Sequence, residues 1–289
     1  MKILVQFSGG KDSQACLIKA CNDYGEDKVT AVFCDTGFEH EDTYKHIHNV
    51  TEQLGVPLIT LHSKKYSDFV DMSIRKTRFP SSQRRFCTSE LKVIPMIDYI
   101  LSQDEHFIIL QGIRAKESKA RSQYDVECSY FKEYFSEDAK NLYHKTAVRE
   151  WCKTHDASVL RPIFRWSAQE VIDYILANGQ RPNPLYERGF SRVGCFPCIM
   201  CRHKEVQLIS KDKWGSQRLL DAERRMKDET ERGSSFFSPG YIPKRFCANA
   251  EYPTVQEVFD YVNRYDAQLD MFEPEEGYSC ISVYHGLCE

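Results

Sequence analysis

The opening thirteen residues, MKILVQFSGGKDS, constrain the chain more than any other stretch. Ile3, Leu4, Val5 and Phe7 form a short apolar run suited to a strand buried in a sheet, and SGGKDS at 8–13 breaks it at once. From Lys11 to Tyr24 there is no Pro or Gly, and Leu17, Ala20, Cys21 and Tyr24 fall at i, i+3, i+4 and i+7, one face of a helix. Strand, glycine turn and helix start therefore follow one another directly. Gly9 and Gly10 let the backbone approach an anion, and the N–H groups and positive end of the helix can hold phosphate there. Lys11 adds a charge, and Ser8 and Ser13 add hydroxyl donors. The pattern G-x-x-x-x-G-K-[ST] cannot be written here, so the stretch is not a Walker A loop, and a tight β-to-α turn with no ligand is the alternative to a phosphate site.

The next segments extend one architecture. KVTAVFCD at 28–35 reads as a second buried strand ending in the acidic turn DTGFEHEDT; a helix over roughly 41–54, Pro57 and the strand LITLH come next. This alternation predicts an α/β fold, a doubly wound parallel sheet with helices on both faces. Such sheets present the carboxyl ends of their strands to the ligand, so Asp35, Thr36 and Glu39 are expected to face the same crevice as the glycine loop. The run from Arg75 to Lys92 is basic, with Cys87 at its centre and a helix, VIPMIDYIL, after it. Arg84 and Arg85 there offer planar forks for phosphate or sulfate, and they favour a thiolate at Cys87, which could carry sulfur or serve as a metal ligand. Phe107 to Leu110 is the next strand, and GIRAKESKAR comes directly after it. Gly112 allows a close turn, Arg114 and Arg121 can reach a phosphate, and Glu117 can orient one of them. Alanine at Arg85 or Arg114 is expected to change stability by less than about 0.5 kcal/mol, as for most surface substitutions.

Net charge is −3, which gives no global electrostatic argument for nucleic acid or membrane, and no apolar run approaches the ~20 residues of a membrane span. With no signal-peptide pattern at the start, a soluble cytoplasmic protein is expected. Among 12 cysteines, Cys16, Cys21, Cys34, Cys128 and Cys152 sit in apolar patterns as small hydrophobes. The others call for more. Ser167 and Glu170 form a capping box that opens a helix ending at Gly179, and after it comes RPNPLYERGFSRVGCFPCIMCRHK, a loop that needs fixing by something other than an apolar core. The C-x-x-C pair Cys195 and Cys198 can converge on one ion, and Cys280 and Cys288 supply a second pair near the end of the chain. Four thiolates suit tetrahedral zinc or a 4Fe–4S cluster, with Cys201, Cys247 and Cys87 as rival ligands. The division expected is 1–194, a nucleotide-binding domain, and 195–289, a Cys-rich metal-binding extension. Within the latter, 224–246 reads as a mobile connection or lid, and Thr254 and Glu257 make another capping box, opening a helix to about Tyr265.

SGGKDS resembles the SGGxDS loop of the PP-loop ATP pyrophosphatases. Together with FCDTGFEHEDT at 33–43, RRFCTSELKVIP at 84–95, GIRAKESKAR at 112–121 and PIFRWSAQEVIDYI…NPLYERGFSRVGC at 162–195, it resembles the phosphoadenosine phosphosulfate reductase family of that superfamily over roughly residues 1–202. The resemblance implies cleavage of ATP between its α and β phosphates to activate an acceptor. It implies that Ser8, Gly9, Gly10, Lys11, Asp12 and Ser13 hold the phosphates, with Lys11, Asp12, Ser13 and Cys87 in the chemistry. Asp35, Thr36, Glu39, Gly112 and Arg114 would lie beside the nucleotide, and Arg84, Arg85, Arg114 and Arg121 around the anion to be processed. The glycine loop is intact where sulfonucleotide reductases often carry an altered one, Cys87 is followed by Thr88 and not by a second cysteine, and the sequence finishes in HGLCE where reductases tend to have ECGLH. In its intact loop and its cysteines the chain is more similar to the DNA phosphorothioation branch. The expected cofactors are ATP, Mg²⁺ and either a 4Fe–4S cluster or Zn²⁺. The expected partners are a sulfur donor protein or thiol reductant and an acceptor, with DNA, a protein and a small molecule all open; a homo-oligomer is open as well. Reduction of an adenylyl or phosphoadenylyl sulfate is the alternative activity, and a non-catalytic nucleotide-binding module with structural zinc the alternative without one.

Overall fold

The computed structural model describes residues 1–137, 139–231, 234–248 and 252–264. Its strands are β1 (Lys2–Gln6), β2 (Val29–Cys34), β3 (Leu58–Leu61), β4 (Phe107–Gln111), β5 (Glu127–Ser129) and β6 (Ala157–Leu160). They form one sheet in the order β3-β2-β1-β4-β6-β5, parallel throughout except that β5 runs antiparallel to β6. From β1 the chain winds outward through β2 to β3 and then crosses to β4 on the other side of β1. The strand order therefore reverses between β1 and β4, where doubly wound sheets open a crevice at their carboxyl ends.

The helices are α1 (Lys11–Tyr24), α2 (Glu41–Gln53), α3 (Phe69–Arg75), α4 (Phe86–Thr88), α5 (Ile94–Leu101), α6 (Lys145–Trp151), α7 (Ala168–Ala177), α8 (His203–Lys211), α9 (Lys213–Glu229) and α10 (Val255–Arg264). Alternation along each strand sends side chains to opposite faces, so β1 gives Ile3 and Val5 to one layer and Leu4 to the other. The first layer packs Leu17 and Ala20 of α1 and Ile47 and Val50 of α2; the second packs Met96, Ile97 and Ile100 of α5 and Val148 and Trp151 of α6. Both capping boxes read from the sequence are formed: Ser167 Oγ accepts from Glu170 N at 3.2 Å, and Thr254 Oγ1 accepts from Glu257 N at 3.2 Å. Val255, Val258, Phe259 and Val262 turn the apolar stripe of α10 inward.

A further apolar cluster joins Phe38, Phe69 and Phe79 to Phe196, Leu219, Phe236, Ile242 and Val258, thus drawing on both sides of the expected boundary at 194. It also corrects the reading of 224–246 as a mobile lid. Helix α9 continues to Glu229, and Phe236, Phe237 and Ile242 are buried at 4%, 4% and 1% exposure, with Phe236 5.7 Å from the Phe79 ring. The stretch is charged and then rich in Gly, Ser and Pro, but Phe236, Phe237 and Ile242 anchor its second part. No helix among the described residues is long and apolar enough to cross a membrane.

Candidate functional site

The glycine loop is held from three directions. Gly9 has φ +80°, and a Cβ there would stand 2.8 Å from Thr43 Cγ2, so glycine is required on both counts. Asn183, fully buried, donates to the Gly9 carbonyl at 3.3 Å and to Thr43 Oγ1 at 3.1 Å. Within the loop, Ser8 N–H donates to Ser13 Oγ at 3.3 Å, and Ser13 Oγ donates to the Gly10 carbonyl at 3.0 Å. Lys11 N–H donates to Tyr186 Oη at 3.0 Å, while its ammonium sits 5.3 Å from the Tyr186 ring centre and 3.3 Å from Asp12 Oδ2. From below, Gly112 at the end of β4 meets the first turn of α1; a Cβ there would lie 2.6 Å from Asp12 O, Ser13 Cα and Ser13 N.

Glu117 holds Arg121, an orienting contact the sequence suggested, but Arg114 is engaged by a partner it did not. Arg114 is 3% exposed, and its Nε donates to Asp12 Oδ1 at 2.5 Å. Glu117 Oε2 accepts from Arg114 N–H at 2.8 Å and from Arg121 Nη1, and Arg121 is 1% exposed. Both guanidiniums are buried in ion pairs: Arg114 lashes the loop after β4 to the start of α1, and Arg121 braces Glu117 within that loop. The expectation that Arg114 can be cut back at little cost in stability is thereby corrected, since an arginine this buried holds its partner's charge.

The acidic turn forms the opposite wall. Glu39, 1% exposed, accepts from Thr36 Oγ1 at 2.7 Å, Thr36 N at 3.2 Å, Phe38 N at 3.1 Å and Tyr44 Oη at 3.1 Å. Burial pushes its carboxyl up, against the pull of the Lys92 ammonium and of these hydrogen bonds. Asp35 Oδ1 accepts from Tyr44 Oη at 2.6 Å and from Gly37 N at 2.8 Å. Arg218 of α9 donates to the carbonyls of Gly37 and Glu39 and lies between the rings of Phe38, at 4.6 Å, and Trp214, at 4.4 Å.

Between these walls lies a narrow pocket of about 50 Å³ that opens to solvent, bordered by Gln6, Ser8, Ser13, Glu39, Lys92 and Gln111. Arg84, exposed, and Arg85 and Cys87, half-buried, do not line it, and Cys87 packs against the apolar cluster around Phe79. Sequence reasoning placed Lys92 in the basic run without a role, and it missed Gln6, Gln111, Asn183 and Tyr186. A polar residue at the carboxyl end of a buried strand was the one signal for the two glutamines.

The C-x-x-C loop is stitched to the acidic turn. Phe196 N donates to the Phe38 carbonyl at 2.7 Å, and Cys195 Sγ lies 3.8 Å from Thr36 Oγ1. Desolvation pushes the Cys195 and Cys34 thiols each up to about 12, against the pull of Lys92. Cys201 is 7% exposed inside the apolar cluster. Cys280 and Cys288 lie outside the described residues, and among the described residues no three His, Cys, Asp or Glu side chains gather as a metal-ligand group. Cys195 and Cys198 supply half of the four thiolates that zinc or a cluster takes, so the described residues do not by themselves complete either site.

Residues 2–201 match the phosphoadenosine phosphosulfate reductase domain. The chain belongs to that family. It is 31% identical to an uncharacterized 37.8 kDa protein of Escherichia phage 186, across 99% of this chain and 96% of that protein. It is 28% identical to the adenosine 5′-phosphosulfate reductase of Neisseria meningitidis across 60% of this chain, and spans 63% of that enzyme's length. The phosphoadenylyl-sulfate reductase of Candida auris, solved as a phosphate complex, superposes with a TM-score of 0.48 at 16% identity, covering 68% of this chain and 83% of that one.

Proposed function

We propose that this family member is an ATP pyrophosphatase that adenylates an acceptor in preparation for sulfur transfer. The observation that supports it best is the intact SGGKDS loop, built into the amino end of a 14-residue helix beside a pocket at the point of strand reversal. The first-turn N–H groups of α1 after Lys11, the Lys11 ammonium and the Ser8 hydroxyl would hold the phosphates, with the Ser13 hydroxyl joining them by turning from the Gly10 carbonyl. An acceptor nucleophile would attack the α-phosphorus, the bond to the bridging oxygen would break, and pyrophosphate would leave with that electron pair. Asp12 is engaged by Arg114 and Lys11, so Asp35 fits a divalent cation better: its Oδ2 lies 3.7 Å from His62 Nδ1 and accepts no hydrogen bond among the described residues. Mg²⁺ there would neutralise charge on the leaving pyrophosphate. Arg84 and Arg85, outside the pocket lining, would meet the acceptor. A DNA acceptor would rest on that local basic run, since net charge supplies no general attraction.

The protein is expected to release pyrophosphate, not orthophosphate, from ATP once an acceptor is present, in a Mg²⁺-dependent way. Lys11→Met and Ser13→Ala each remove a charge-assisted contact and should weaken ATP binding by about 1.5–3 kcal/mol. Calorimetric titration checks this, and equal affinity in wild type and both variants would remove the site assignment. Reduction of an adenylyl sulfate is the rival reading, supported by the similarity to the Neisseria enzyme. Tight binding of adenosine 5′-phosphosulfate with no ATP binding would favour it.

The proposal also assigns one zinc or 4Fe–4S centre to Cys195, Cys198, Cys280 and Cys288. Metal analysis of protein purified without oxygen should show loss of metal in Cys280→Ser and Cys288→Ser and retention in Cys201→Ser, whose thiol belongs to the apolar cluster. Wild-type metal content in both terminal variants would refute the ligand set.

A further inference from the structure

Gln6 and Gln111 occupy paired register positions at the carboxyl ends of β1 and β4, on the same face of the sheet and at the reversal of strand order. Gln111 is 1% exposed, and its Nε2 donates to Gln6 Oε1 at 3.1 Å. Its own Oε1 is buried and accepts no hydrogen bond among the described residues, although the residue borders the pocket. A buried amide oxygen left unmade is unfavourable, so this one calls for a donor. Beside it, the half-buried Gln6 retains its amide N–H groups, which have no acceptor in the hydrogen bonds of the described residues. The two side chains thus present an acceptor next to a donor. Turning both amides over interchanges the two atoms and leaves the edge of the same kind.

That edge does not suit phosphate or sulfate, which offer acceptors alone. It matches a planar group carrying a donor beside an acceptor, as the N6 amino group and N7 of adenine do; a side-chain amide pairs with adenine in this manner. Guanine shows two acceptors, O6 and N7, along the corresponding edge. We propose that the Gln6–Gln111 pair reads the base, selecting adenine over guanine. The inference rests on the pocket being a nucleotide site, and it holds for ATP and for an adenylyl sulfate alike.

The test titrates wild type, Gln111→Leu and Gln6→Met with ATP, GTP and inorganic tripolyphosphate, after thermal melting shows which variants fold. Gln6 is half-buried, so its replacement keeps the experiment decisive if Gln111→Leu does not fold. Wild type should prefer ATP to GTP by about tenfold or more, the range of one bidentate amide–base pair. The variants should lose that preference through weaker ATP binding, with GTP and tripolyphosphate affinities unchanged. If wild type binds ATP and GTP equally, or the folded variants melt earlier but keep the preference, the pair is a structural tie between β1 and β4 and the inference is overturned while the nucleotide site stands. If wild type binds neither nucleotide nor adenosine 5′-phosphosulfate, the nucleotide reading fails and this inference with it.

Discussion

Arg114→Ala is expected to lower the free energy of unfolding by about 3–5 kcal/mol, the loss typical of removing one partner from a buried ion pair. Its Nε bonds Asp12 at 2.5 Å, and the side chain is 3% exposed. Truncation leaves the Asp12 carboxylate buried with Lys11 as its remaining cation, at 3.3 Å. The desolvation of that carboxylate, more than the lost hydrogen bond, sets the size of the effect. Urea denaturation measures it directly. The double variant Asp12→Leu with Arg114→Met should recover most of the loss, because matched apolar groups leave no charge stranded. A loss below about 1 kcal/mol for the single variant, ordinary for any position, would show that the pair does not anchor the loop.

Gly112→Ala should destabilise by less, but should strike binding as well as stability. The added Cβ would stand 2.6 Å from three backbone atoms of Asp12 and Ser13. No side chain can rotate to relieve such a contact, so either β4 or the start of α1 must shift. Overpacking of this kind costs about 1–3 kcal/mol. The movable partner is the phosphate loop, so ATP affinity should fall even in protein that remains folded. Melting and titration on the same sample separate the two effects, and a variant that melts and binds as wild type would mean that the loop tolerates the displacement.

The features legible in the sequence were those that local chemistry decides. The bounds of α1, with glycine before Lys11 and Gly25 after Tyr24, and the caps at Ser167 and Thr254 each depend on residues within a few positions of one another. The alternation of strands and helices was legible for the same reason, and from it the sheet. Glu117 beside Arg121 was legible because it is four positions away, whereas Arg114 was read as open to a phosphate because its partner Asp12 lies 102 positions from it. Tyr186 on the Lys11 N–H and Asn183 on Gly9 are contacts of the same long-range kind, set by the fold and absent from any short pattern. At 234–242 composition misled, since Gly, Ser and Pro announce a loop but do not say whether Phe236 and Phe237 will find a surface to cover.

Arg218 lies beyond the family-matched residues, yet its guanidinium supplies donors to the carbonyls of the turn that carries Glu39 and covers the ring of Phe38. A recombination event that kept residues 2–201 and exchanged the downstream segment would strip that turn of its support. Phe38, Trp214 and Arg218 form one stacked contact, so a graft of residues 2–201 onto another downstream segment would need α9 to keep the turn in place. The piece that must be cut out intact for the acidic turn to keep its shape is therefore longer than the domain by which the family is recognised.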